Sequence, residues 1–410
     1  MAYTNLGNNV LQSNGSSSDT QAAINAISSG GTVQIPAGTF TWTAGINIPK
    51  VITVAGAGAG STVIKDNFQN GTLVTLNAAA TLAGVGMEDI SGQSGGFGGG
   101  VFVSVEVGST RIHDCNFVGS GGSVGKLVLY RANGGVMWNC SFSDQDNNDE
   151  GINFKVQGSS APPASAEWSD HNYLGARDST GLKNTYIENC TFNNMTLQAL
   201  DVDDNSRVVI RYCTFNNSGM TSHGCETSPF GLRHAELYKN TFVFSTSGNT
   251  PDGKSYPLNL NWWIFQRGAT MFVHDNVIPA ISSSTWGDKT SFNLAVYSIQ
   301  RASNSIACQT NYPAYRQIGQ DFNGSSYYTL GDWFWNNSGS GATVVRLDDY
   351  SPDQCGNGLK VANFVASGRD YFVNAGAPSG YSPYTYPHPL RGGSASPNAP
   401  SAPQNLRVVQ

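Results

Sequence analysis

One five-residue phrase recurs along this chain and restricts its fold more than any other feature. It appears as His113-Asp114-Cys115-Asn116-Phe117, Trp138-Asn139-Cys140-Ser141-Phe142, Glu188-Asn189-Cys190-Thr191-Phe192 and Arg211-Tyr212-Cys213-Thr214-Phe215. Degenerate copies follow at Lys239-Asn240-Thr241-Phe242 and His274-Asp275-Asn276-Val277-Ile278, and the steps between copies are 25, 50, 23, 27 and 36 residues. A repeat of that size is one structural unit that buries its apolar face only by stacking on its neighbours. Each phrase closes a β-rich run such as Arg207-Val208-Val209-Ile210-Arg211. Its Cys and Phe, two apart, therefore point to one side of a strand. Stacked coils about 4.8 Å apart set Cys over Cys and Phe over Phe. The expected fold is all-β: a single-stranded right-handed parallel β-helix, with the longest insertion in residues 149–185.

The same stacking accounts for Cys115, Cys140, Cys190 and Cys213 as a buried ladder of reduced thiols acting as small hydrophobes. The close-spaced cysteine pairs of a four-cysteine zinc site are absent. Cys308 and Cys355 lie apart from the ladder, in the C-terminal region, where either a disulfide or two free thiols is compatible with the sequence. Composition agrees with strands and tight turns: 48 glycines, and 12% charged residues against a usual value of about 25%. A net charge of -6, with no Lys/Arg run, excludes a nucleic-acid face. No stretch reaches the ~20 apolar residues of a membrane-spanning helix.

Ahead of the ladder, residues 18–27 form a short amphipathic helix closed by Gly30-Gly31, followed by β-rich text at 32–40 and 51–58. Gly56-Ala57-Gly58-Ala59-Gly60 precedes another strand, not a crossover helix, so it is a turn and not a dinucleotide-binding loop. With the ladder, this beginning closely resembles the pectate-lyase-like β-helix proteins over roughly residues 14–337. The resemblance implies a helix covering the open end of the first coil, which shields its strand edges. The expected organisation is a β-helix domain over 1–390, with the N-terminal cap and first coil in 14–50 and an irregular C-terminal cap in 287–390. That C-terminal region, which holds Trp333, Trp335 and the aromatic, proline-rich text from Tyr381 to Pro389, is expected to cover the last coil and seal the other end. Residues 391–410 are a linker whose end, Ser401-Ala402-Pro403-Gln404-Asn405-Leu406, resembles the start of a fibronectin type III module. A secreted, multi-module parent, with its leader removed from Met1-Ala2-Tyr3-Thr4, is the expected origin, and a monomer the expected state.

Alternation within an earlier strand of each coil assigns two faces. Ile152, Phe154, Leu200, Val202, Cys225, Leu258 and Leu260 point inward. Asn153, Lys155, Asp201, Asp203, Glu226, Asn259 and Asn261 then point outward, as a polar, acidic strip along one sheet. Asp149, Glu150, Asp204, His223, Arg233 and Arg267 stand at the strand ends as walls of a groove, and the 157–183 insert, with Trp168, supplies a rim. Such a strip suits an extended polysaccharide, whose hydroxyls need many polar partners and whose ring faces pack on aromatics such as Trp262 or Trp263.

Two cleavage chemistries fit. A hydrolase needs a proton-donating acid and a carboxylate to activate water, about 6.5–9.5 Å apart for inversion. Asp201 and Asp203 are about 6.6 Å apart at the backbone. Two carboxylates that close favour one of them keeping its proton. The order Asn148-Asp149, Asp203-Asp204, His223-Gly224, Leu232-Arg233 resembles the polygalacturonase series. The resemblance implies Asp149, Asp203 and Asp204 as catalytic carboxylates, His223 as their support and Arg233 as a sugar-carboxylate ligand. This chain departs from the series in lacking a residue between Asn148 and Asp149 and in having Ser222 where a glycine is usual. A lyase would instead hold Ca²⁺ on Asp201, Asp203 and Glu226 to neutralise a uronate, with Lys155, Arg233 or Arg267 near the base position. Hydrolysis is slightly favoured, elimination is the alternative, and a non-catalytic glycan-binding or adhesin module is the third reading. Catalytic candidates are therefore Asp149, Asp201, Asp203, Asp204, His223 and Glu226. Substrate-binding candidates are Asn153, Lys155, Trp168, Arg233, Asn261, Trp263 and Arg267.

Overall fold

A computed structural model describes residues 3–68, 71–90, 100–119, 124–144, 150–156, 177–195, 198–222, 232–245, 260–282, 290–296, 317–322, 327–349 and 358–392. Among these residues the chain winds as a right-handed parallel β-helix with three parallel sheets, named here in the order each coil visits them. One coil shows the plan: Gly100–Val105 lies in sheet I, Arg111–His113 in sheet II and Asn116–Gly119 in sheet III. Sheet I has 10 strands, sheet II 13 and sheet III 8 among the described residues. No helix among them is long and apolar enough to cross a membrane.

The recurring phrase is the corner between sheets II and III. Its phenylalanines form one stack through the core, with ring centroids 5.0, 4.9, 4.9 and 4.8 Å apart from Phe117 through Phe142, Phe192 and Phe215 to Phe242. Cys115, Cys140, Cys190 and Cys213 lie beside them as buried free thiols. Burial pushes the Cys140 and Cys213 thiols up. The residue before each cysteine turns the corner with a left-handed backbone: Asp114 (φ 54°), Asn139 (53°), Asn189 (54°) and Tyr212 (57°). Asp and Asn tolerate that conformation better than other non-glycine residues. In the later coils asparagine takes over the cysteine position. The Cys213 N–H donates to Asn240 Oδ1 at 2.9 Å, the Asn240 N–H to Asn276 Oδ1 at 2.9 Å and the Asn276 N–H to Asn337 Oδ1 at 3.1 Å. The thiol ladder thus continues as a hydrogen-bonded amide ladder, because an amide satisfies the corner N–H that a thiol contacts only weakly.

At the N-terminal end, Tyr3–Gly7 adds an antiparallel strand to the edge of sheet II, and helix α1 (Ser17–Ala26) lies over the first coil. The Ser16 side chain caps α1 by accepting from the Asp19 N–H at 3.2 Å. Lys50 Nζ donates to the Asn25 and Ile27 carbonyls at 2.7 and 2.9 Å. The Gln21 amide makes a reciprocal pair with the Asn47 backbone at 3.1 and 2.7 Å. Ala23 and Ile24 face the core, so the helix closes the end of the stack as expected.

Within the region 287–390, Thr290–Leu294 and Val345–Leu347 extend sheet I, and Asp332–Trp335 and Tyr371–Val373 extend sheet II. The chain then turns back, and residues 381–391 run as a strap along the outer face of sheet II. Tyr381 packs edge-on against Trp335 and His274. Further along, Tyr386 stacks on Tyr212 at 3.9 Å, and Arg391 lies over the Trp138 ring at 5.6 Å.

Two buried ionic clusters fasten the strap. Glu188 accepts from Arg211 Nε at 2.9 Å, Arg391 Nη1 at 2.8 Å and the His388 N–H at 3.2 Å. Arg211 also donates to the Tyr238 hydroxyl and to the Tyr384 and Thr385 carbonyls, at 2.6, 2.8 and 2.6 Å. Glu236 accepts from Arg177 Nε at 2.6 Å and from the Tyr381 hydroxyl at 2.9 Å, and its other near neighbour, His234 Nε2, is at 3.4 Å. Glu236, in the strand leading to the Phe242 copy, and His113 and His274, within copies of the phrase, are all held in such contacts. His113 is bonded to Asp114 at 2.7 Å and His274 to Asp275 at 2.8 Å.

Candidate functional site

Of the expected strip, Asn153, Lys155, Asp201 and Asp203 lie side by side on the outward face of sheet I. Strand register aligns Ser104, Leu129, Asn153, Asp201, Thr221, Phe265, Asn293 and Arg346 across successive coils. Alternation holds for the two central strands. Ile152, Phe154, Leu200 and Val202 lie in the core, as does Leu260 further along, and Lys155 pairs with Asp203 one position beyond Asn153 and Asp201.

The centre of the strip is a set of polar side chains held by one amide. Asn153 Nδ2 donates to Glu150 Oε2 at 2.6 Å and to Asp201 Oδ2 at 2.9 Å. Both protons of one NH2 group are thus used on two carboxylates from adjacent coils. Lys126, one coil earlier, brings its Nζ to 3.8 Å from Glu150 Oε2. Glu150, Asn153 and Asp201 are at most 3% exposed, and burial strengthens every one of these interactions. The Asn153 carbonyl oxygen has no hydrogen-bond partner among the described residues, so the amide retains one acceptor.

Other candidates take different positions. Asp203 and Asp204 are buried at the end of the Gln198–Asp203 strand. There Asp204 has a left-handed backbone (φ 47°), and its N–H donates to Asp203 Oδ1 at 2.8 Å. Arg267 follows the Trp262–Gln266 strand; its N–H donates to Ser222 Oγ at 3.1 Å, and its guanidinium lies 4.9 Å from the Phe265 ring centre. Arg233 stands where the chain enters sheet II, its N–H donating to the Ser206 carbonyl at 3.0 Å. Asn261 is half-buried, and its carbonyl accepts from the Thr290 N–H.

Trp263 requires a correction. It is fully buried, packs against Phe242 and donates its indole N–H to the Pro279 carbonyl at 2.8 Å, so it cannot carry a sugar ring. The half-buried neighbour Trp262, packed against Phe265 at 4.5 Å, occupies the surface position. Asp149, Trp168, His223 and Glu226 lie outside the described residues, as do Leu258, Asn259, Cys225, Cys308, Cys355 and the tail from 393 onward.

The expected calcium set is Asp201, Asp203 and Glu226. Among the described residues no three His, Cys, Asp or Glu side chains gather as a metal site. Between Glu150 and Asp201, moreover, stands a donor amide and not a set of oxygens. Asp201 and Asp203 are the described members of that set, and Glu226 lies outside the described residues. Glu150 and Lys126 are the members that the sequence marked least. Glu150 is visible in it only as a groove-wall residue, because its link to Asp201 spans the 157–183 insertion.

No family model matches the chain, and no curated protein matches it. Several solved structures are similar to the chain. A PL6 family polysaccharide lyase from Pseudopedobacter saltans superposes with a TM-score of 0.50 at 14% identity, over 84% of this chain and 79% of that one. An alginate lyase from Paenibacillus sp. str. FPU-7 gives 0.41 at 9% identity, over 83% and 98%. A pectin methylesterase from carrot gives 0.36 at 11% identity, over 84% and 89%. At 14% identity the likeness to the P. saltans structure extends to the parallel β-helix fold alone and leaves the chemistry to the site.

Proposed function

We propose that this protein is a polysaccharide-processing enzyme that binds an extended glycan along sheet I and cleaves it by hydrolysis. The carrying observation is the single Asn153 amide that donates to both Glu150 and Asp201. Two carboxylates held on one nitrogen are drawn toward the ~5–5.5 Å spacing of a retaining pair, not the ~6.5–9.5 Å of an inverting one. In this reading one carboxylate protonates the leaving oxygen and the other attacks or stabilises the sugar. Lys126 brings its positive charge to 3.8 Å from Glu150 and so makes the surroundings of the two carboxylates unequal. Asp203 and Lys155 bind the neighbouring sugar, and Trp262 offers an apolar surface to its ring. A polymer too large to enter a cell would place the enzyme outside it, as a secreted monomer.

Elimination is the second reading. Lys155 lies in register with Asp203 on the same strip, and an amine there can serve as the base that removes the proton next to a uronate carboxylate. The name of the P. saltans protein, a polysaccharide lyase of the same fold, supports keeping it.

The test is a polysaccharide panel assayed at once for new reducing ends and for the ultraviolet absorbance of unsaturated uronate, using wild type, Asp201→Asn, Glu150→Gln and Lys155→Met. Hydrolysis predicts reducing ends without absorbance and a loss of about 10²–10⁴-fold in both acid variants. Absorbance abolished by Lys155→Met would transfer the assignment to elimination. Binding without cleavage anywhere on the panel would leave a glycan-binding module.

A further inference from the structure

A second cleft lies on sheet II, on a different face from the sheet I strip. It encloses about 870 Å³ between the early coils and the end of the strap, within the ~300–1,000 Å³ typical of ligand sites. Its coil-side wall contains Thr81, Arg111, His113 and Trp138, and its strap-side wall Tyr386 and Arg391. Arg111 and His113 are two apart on one strand and so point the same way, and Arg111 pairs with Thr81 of the preceding coil.

The electrostatics of this cleft differ from those of the chain as a whole. The Nε of Arg111 is buried and has no hydrogen-bond partner among the described residues. Arg391 is bound to Glu188, but that carboxylate is shared with Arg211. The acid facing the cleft is Asp114, which is already engaged by His113 at 2.7 Å and by Asn139 Nδ2 at 3.1 Å. Arg111 and Arg391 thus line the cleft with Asp114, while Glu188 is neutralised from behind by the buried Arg211, a local positive excess on a protein of net charge -6. A guanidinium whose Nε has no partner among the described residues, beside a hydroxyl and aromatic side chains, has the chemistry of a site for a sugar that carries an anionic group.

We propose that this cleft binds an anionic sugar unit, with Arg111 as the group that grips its charge and Trp138, Tyr386 and Arg391 forming the surface against which it lies. The proposal deepens the polysaccharide reading and rests on it for the ligand class. It assigns sheet II the role of holding a charged chain while sheet I acts on it, and gives the strap a ligand-binding use as well as a packing one.

Calorimetric titration of the full chain carrying Asp201→Asn tests it, with acidic oligogalacturonate, a sulfated galactan oligomer and uncharged cello-oligosaccharide as probes. The expected result is binding of at least one anionic probe, weakened about 10- to 100-fold by Arg111→Ala. Arg111→Gln should weaken it similarly while keeping the side chain's length, and the uncharged probe should bind no more weakly in either variant. Preference between the first two probes distinguishes a carboxylate from a sulfate as the recognised group. Unchanged affinity in both Arg111 variants, or no binding of either anionic probe, overturns the proposal. A chain that binds through Arg111 but cleaves nothing would sink the hydrolase reading and leave the cleft standing.

Discussion

Replacing Glu188 with alanine should be among the most destabilising single changes in this protein. Glu188 and Arg211 are both fully buried, so the substitution leaves a desolvated guanidinium without its counter-ion. It also releases the anchor of Arg391 and of the His388 N–H on the strap. Breaking a buried ion pair from one side costs about 3–5 kcal/mol. The remaining partners of Arg211, the Tyr238 hydroxyl and two strap carbonyls, are neutral acceptors and do not replace the charge. Glu188→Gln keeps an acceptor of the same shape and should cost less, about 1–3 kcal/mol. Equilibrium urea unfolding measures both, and hydrogen exchange on residues 381–391 shows whether the strap leaves first. The double change Glu188→Leu with Arg211→Met should recover most of the loss, because apolar groups of similar volume replace buried ion pairs with little penalty. A Glu188→Ala protein within about 1 kcal/mol of wild type would refute the reasoning, as would a double variant no more stable than the single one.

The ladder cysteines should resist a thiol reagent until the coils unfold, so rapid native-state labelling of Cys140 or Cys213 would contradict their burial. Stability should also vary with pH at both ends of the acid range. At Asp66, burial, opposed by the Phe68 N–H and aided by Asp89, pushes the carboxyl up from 3.8 to about 6. Its folded form prefers the proton, so that contribution is complete below about pH 4 and is lost as pH rises toward 6; Asp66→Asn should flatten this limb of an unfolding series. At Glu236 burial is outweighed by the His234 hydrogen bond and the nearby charges of His234 and Arg177, which hold the carboxyl below its ordinary 4.5. Its contribution is present above that value and lost as pH falls through the depressed one, a limb that Glu236→Gln should remove.

The stack itself was legible because its signal is local. A Cys and a Phe two apart at the end of each β-rich run reveal a coil without knowledge of any other. Alternation placed Asn153 and Asp201 on one outward face for the same reason. It failed at Trp263 because alternation breaks inside the Trp262–Gln266 strand: Ile264 keeps the inward parity of Leu260, but Trp263, next to it in sequence, enters the core as well. The link between Glu150 and Asp201 depends on which strands become neighbours across the insertion, and no spacing within either strand encodes that. The strap was harder still. Its text marks it as an aromatic cap, but its course is set by contacts such as Arg391 with Glu188, separated by 203 residues, and sequence carries no periodic trace of such a pairing.

The strap also acts as a ruler. A plain solenoid can gain or lose a coil anywhere, because each coil touches only the next. Here Tyr381 must meet Glu236 and His274 while Tyr386 meets Tyr212 and Arg391 meets Glu188. The number of coils between those partners is therefore fixed by the length of one short peptide. Duplications and deletions of a coil should be tolerated beyond its ends and excluded between them, and the spanned coils should fray together, not one at a time.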